Sequence, residues 1–138
     1  MSNTERDIFI LRKIIQYCNE ADEAIARFGD SVETLRVDNI YKNATAMCVL
    51  QIGELVGNLS DDFISSHTEM PWKQIKGMRN IAAHGYEKFD IDVLWQTLKS
   101  DLPDLAEYCI KTIKHILTVL NNYFANIVKT NLNRTLTI

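Results

Sequence analysis

Proline and glycine are scarce in this chain, at two and five of 138 residues. So few breakers exclude a chain cut into many short pieces and leave room for long helices. Cysteine is sparse too. Cys18, Cys48 and Cys109 lie far apart with no C-x-x-C spacing, which argues against a disulfide framework or a thiolate metal site and fits buried, reduced thiols. No apolar run reaches the roughly 18–20 residues that span a bilayer. The opening Met1-Ser2-Asn3-Thr4-Glu5-Arg6-Asp7 lacks the basic start and apolar stretch of a signal peptide. A soluble cytoplasmic protein is the expectation. Nor is there a basic excess: the formal net charge is −3, against that of a protein that coats nucleic acid electrostatically.

What is present is an ordinary core and an uneven charge. With 46% hydrophobic residues the chain can bury one domain, 1–138, with a core of about 4–125 and a polar tail at 126–138. Residues 1–70 hold 12 acids and 6 bases, whereas 108–138 hold Lys111, Lys114, Lys129 and Arg134 and no acid. Contact with RNA should therefore be local and drawn from the second half.

Apolar residues recur at helical spacing throughout. A first helix should open at Thr4 or Asp7 and stop near Phe28-Gly29, with Asp30 or Ser31 capping the next. The second should run from about Val32 to Leu59 and bury Leu35, Ile40, Ala44, Cys48, Ile52 and Leu55. Asp61-Asp62 starts a short turn, and Pro71 suits the first position of a helix reaching about Gly85. Asp90-Ile91-Asp92 begins a short helix to about Lys99. Asp101 or Pro103 starts the last, carrying Leu105, Ile110, Ile113, Leu117, Leu120 and Phe124. The tail from Asn131 should fray or pack on a partner. The fold class is all-α, an up-and-down bundle of four to five helices.

Chemistry concentrates in Arg79-Asn80-Ile81-Ala82-Ala83-His84-Gly85-Tyr86. Arginine offers a planar, permanently charged fork to phosphate, and histidine exchanges protons near neutrality. Together they suit a phosphodiester undergoing cleavage. At about 100° per residue, Lys73, Lys76, Arg79, Asn80, Ala83 and His84 share one arc, while Ile75, Met78 and Ala82 face the core. A solvated face would show the same stripe. The local charge runs against the trend, with four bases and two acids in residues 71–90.

These residues resemble a known signature. R-N-x-x-A-H-x-Y is similar to the R-x4-H-x-Y motif of the HepT-like branch of the HEPN superfamily. The flanks agree at Pro71-Trp72, Gly77-Met78 and Asp90-Ile91-Asp92 with Trp95, and Gln51-Ile52-Gly53-Glu54-Leu55 resembles the family's second-helix block. The likeness spans roughly residues 7 to 125. It implies a homodimer in which two motif helices meet across a two-fold, each giving Arg79 and His84 to one cleft. It also implies a toxin encoded with a minimal nucleotidyltransferase antitoxin, which transfers AMP to Tyr86.

The leading expectation is a metal-independent endoribonuclease needing no cofactor. A ribose 2′-OH attacks phosphorus, His84 moves the proton, Arg79 neutralises the transition state, and Asn80 orients the imidazole or binds phosphate with Lys76 and Lys73. The alternative is a non-catalytic helical partner of a nucleotidyltransferase that binds nucleotide or RNA. His67 and His115 are read as structural or surface residues. Glu54, polar amid apolar neighbours, is expected to pair with a base of the motif helix.

Overall fold

The computed structural model describes residues 1–84 and 90–136, with the side chains of 81–84 left aside. Seven α-helices follow one another among the described residues: α1 Asn3–Phe28, α2 Val32–Val37, α3 Asn39–Val56, α4 Asp61–Ser66, α5 Trp72–His84, α6 Ile91–Gln96 and α7 Leu102–Leu136. Four of them, α1, α3, α5 and α7, are long and carry the bundle, so the all-α class holds. The short helices α2, α4 and α6 tie the long ones together.

Helix α1 begins earlier than expected. Ser2 caps it and forms a reciprocal capping box with Glu5, which satisfies two orphan amides at once. Asp7 is therefore no cap. It is buried, and its carboxylate accepts from the Ser60 amide at 2.8 Å and the Ser60 hydroxyl at 2.6 Å. Ser60 in turn accepts from the Phe63 amide and caps α4. At the other end of α1, Gly29 takes φ +123°, a region that glycine enters without a Cβ penalty, and Ser31 caps α2.

The expected single helix from Val32 to Leu59 is broken. Asp38 sits extended at φ −98°, ψ 106°, and its carboxylate accepts from the amides of Ile40 and Tyr41. An Asp side chain competes well for such amides and so starts a new helix. The break resets the helical phase. Tyr41 and Thr45 go fully inside, Ala44 stays half-buried, and Ile40 is left 69% exposed. The Tyr41 hydroxyl donates to the Gly29 carbonyl at 3.0 Å, its ring stacks on Phe28, and α2 is folded back under α1.

The helix starting at Asp90 does not end at Lys99. Asp90 caps α6 as expected, but Thr97–Asp101 then forms a π-helical turn that runs directly into α7. No new helix starts at Asp101 or Pro103. Lys99 in this turn donates to Asp30 at 2.9 Å, and Arg36 of α2 pairs with Asp92 of α6 at 3.1 Å. Leu105, Cys109, Thr112 and Ile113 pack inward from α7. Ile110, Leu117 and Phe124, expected in the core, are 40%, 39% and 60% exposed. The tail does not fray at Asn131 either, because α7 continues to Leu136 with every residue from Asn121 onward exposed. Among the described residues no helix is long and apolar enough to cross a membrane.

Candidate active site

The motif helix α5 is held at its start by aromatic packing. The Trp72 indole donates to the His67 carbonyl at 2.7 Å, its ring meets Phe63 and Tyr108 edge-on, and the Ile75 amide donates to the Pro71 carbonyl. Trp72 and Ile75 are buried, and Met78 packs half-buried against the core. Lys73, Lys76, Arg79 and Asn80 are exposed. The amphipathic division read from the spacing is thus the one α5 adopts over its described side chains.

Helix α3 sets the position of Arg79. A Cβ built on Gly53 would come within 2.9 Å of the Arg79 amide nitrogen and 3.0 Å of its Cβ. Only glycine lets the two helices cross that closely. One residue on, Glu54 pairs with Arg79 through Nε of the guanidinium. Both partners are about half-exposed, at 44% and 50%, so the ion pair aims the side chain more than it stabilises the fold. Lys76 lies along the same helix, its Cε 3.3 Å from where a Gly57 Cβ would stand. The expected pairing of Glu54 with a base of α5 is present, and its partner is Arg79.

Sequence reasoning noticed the glycine of Gln51-Ile52-Gly53-Glu54-Leu55 only as part of a motif. Its physical signal was available: a glycine inside an otherwise apolar helix marks a close backbone approach. His84 is the last residue of α5, and its side chain lies outside the described ones, as does that of Ala83. Gly85 and Tyr86 lie outside the described residues.

The other two histidines do not join this site. His67 Nδ1 bonds the Phe63 carbonyl at 2.8 Å and its ring stacks on Phe63 at 4.0 Å, a structural arrangement. His115 is exposed on α7, and both line a groove of about 400 Å³ between α1, α4 and α7. A second groove of about 400 Å³ adjoins another side of α5, with Gln74 and Met78 facing Asp101 and Asp104. Those carboxylates repel phosphate, so an anionic chain belongs on the Lys76–Arg79 side. Among the described residues, no group of three or more His, Cys, Asp or Glu side chains is placed to hold a metal ion.

Comparison with known proteins agrees with this geometry. Residues 14–112 match the family model described as ribonuclease HepT-like, a span that includes Gly53, Glu54 and the whole of α5. A protein of Caldanaerobacter subterraneus subsp. tengcongensis with a provisional RNase name is 33% identical over 107 residues, 78% of this chain and 90% of the relative. A Thermococcus cleftensis protein provisionally named ribonuclease HepT is 35% identical over 88 residues, 62% of this chain and 80% of the relative. A Methanocaldococcus jannaschii protein, also provisionally named an RNase, is 32% identical over 115 residues, 81% and 92% of the two chains. No solved structure matches.

Proposed function

The chain belongs to the HepT-like ribonuclease family, and from that premise we propose that it is a metal-independent endoribonuclease acting through a composite site in a homodimer. The observation that carries this reading is the pinning of Arg79. Gly53 sets its backbone against α3, and Glu54 takes its Nε. The Nη donors of the fork are left for a phosphate. His84, five residues on at the end of the same helix, stands one and a half turns further along.

The reaction is a transesterification. The 2′-oxygen of a ribose attacks the adjacent phosphorus while an imidazole of His84 takes its proton. The bond from phosphorus to the 5′-oxygen breaks, and the His84 of the second copy protonates the leaving oxygen. Arg79 neutralises the charge that accumulates on the equatorial oxygens. Asn80 orients the imidazole or binds phosphate, and Lys76 and Lys73 hold the flanking backbone. The products are a 2′,3′-cyclic phosphate and a 5′-hydroxyl.

In the cell the protein serves as the toxin of a toxin–antitoxin pair. A minimal nucleotidyltransferase silences it by transferring AMP to Tyr86. The added phosphate would stand two residues from His84, pair with Arg79 and displace the RNA phosphate.

The test uses unmodified protein, its mass checked for absence of AMP, with structured RNA in EDTA. Wild type should cleave to cyclic-phosphate ends, and His84→Ala should lose at least about 100-fold in rate. RNA that is bound but stays intact with wild type would replace the nuclease by a non-catalytic, nucleotide-binding partner of the transferase.

A further inference from the structure

Helix α7 outgrows the bundle. From Asn121 to Leu136 no residue is buried or half-buried, although Phe124, Val128 and Leu132 are large and apolar. That length, about 24 Å of helix at 1.5 Å per residue, is too short and too apolar to stand alone in water. The apolar pattern also has a stricter period than a bundle face requires. Ile110, Ile113, Leu117, Leu120, Phe124 and Ile127 follow one another at alternating steps of three and four, and Asn131 continues the series. A sustained heptad of this kind is the seam of a two-stranded coiled coil, in which a single asparagine sets register.

We infer that this seam is covered by α7 of a second copy of the chain, running antiparallel about a two-fold between Thr118 and Val119. The extension of each copy then lies beside the body half of the other helix. Leu117 of one copy faces Leu120 of the other, Ile110 faces Ile127, and Phe124 faces the edge of Ile113. The seam residues Ile110, Leu117 and Ile127 are each about 40% exposed in the single chain, as expected of positions half-claimed by their own bundle.

Charge selects this direction. Residues 108–138 carry Lys111, Lys114, Lys129 and Arg134 and no acid, so a parallel pairing would stack like charges along the seam. The antiparallel pairing instead brings Lys129 of one copy beside Glu107 of the other. Glu107 is held in the single chain by Lys111 at 2.8 Å, with both side chains well exposed, and such a surface pair exchanges partners at little cost. This contact lies on a different helix from Arg79 and does not depend on whether the chain cleaves RNA, so the two readings fail separately.

Cross-linking across the seam tests the register directly. Ile110→Cys and Ile127→Cys proteins are mixed, allowed to exchange, and oxidised mildly. The native thiols do not compete, since Cys18, Cys48 and Cys109 are buried with their pKa values pushed up to about 12, 11 and 12. The expected product is the mixed 110–127 disulfide, with circular dichroism confirming that each variant is folded. Only like-with-like disulfides would overturn the antiparallel register, and no disulfide at all would overturn the contact. In the wild-type background, Leu117→Asp with Phe124→Asp should lower the oligomeric state read by light scattering; an unchanged mass would also overturn it. Vesicles of equimolar phosphatidylcholine and phosphatidylserine supply the remaining arm. Sedimentation of wild type with them, lost in Phe124→Asp and unaccompanied by the mixed disulfide, would assign the stripe to a membrane surface instead.

Discussion

Gly53 has no side chain, yet the placement of Arg79 depends on it. Gly53→Ala puts a methyl group within 2.9 Å of a backbone nitrogen that cannot swing aside, so α5 must back away from α3. Overpacking of this kind costs about 1–3 kcal/mol, read as a lower urea midpoint, and should carry a loss of RNA cleavage with it. Gly77→Ala is the control on the motif helix itself. Nothing lies within 4 Å of its added Cβ, and replacing a helical glycine should raise stability by up to about 1 kcal/mol. Equal effects of the two substitutions would refute the close crossing. The residue types were legible from the chain alone: Arg79, Asn80 and Glu54 were all identifiable as polar outliers on apolar helices. Their partnership was not, because it depends on how two helices far apart in sequence cross, and no periodicity encodes that.

At the scale of elements, short polar contacts decide where helices begin and which neighbours they meet. The carboxylate of Asp7 on α1 takes both the amide and the hydroxyl of Ser60, and so fixes the start of α4. Asp7→Ala leaves those buried donors unmatched and should cost about 1–3 kcal/mol. In a double-mutant cycle with Ser60→Ala, the two losses should fall well short of adding; strict additivity would show that the contact contributes nothing. This is also where the chain misled. Asp7 and Asp38 have the same composition cue, a carboxylate near a helix start. One is a buried tertiary partner and the other splits a long amphipathic run in two. Local pattern gave the existence of the long helices, whereas their ends depended on which amide each carboxylate found.

The whole molecule hides its thiols, and this sets a limit on the alkaline side. Burial raises Cys18 and Cys109 from 9.0 to about 12 and Cys48 to about 11. A thiol that holds its proton more tightly when folded contributes stability in full below pH 9, the unfolded value. That contribution is lost as pH rises from 9 toward 11–12. Each thiol then weakens the fold by up to about 1.4 kcal/mol per pH unit. The melting temperature should be level up to pH 8.5 or about there and fall steeply above it, less so in Cys109→Ala. A flat profile to pH 10.5 or about there would mean that the three sites are wetter than their burial implies.

The π-helical turn at Thr97–Asp101 has a consequence in the language of insertions and deletions. Such a turn closes over one more residue than an α-helical one, so it stores a single residue of slack. Deleting the exposed Ser100 should be absorbed there, drawing α6 and α7 into one regular helix while Leu105, Cys109 and Ile113 keep their faces. The same deletion at Lys111, in the regular part of α7, has no slack to draw on and turns everything beyond it by about 100°. Two losses eleven positions apart would then differ as a silent edit differs from a frameshift.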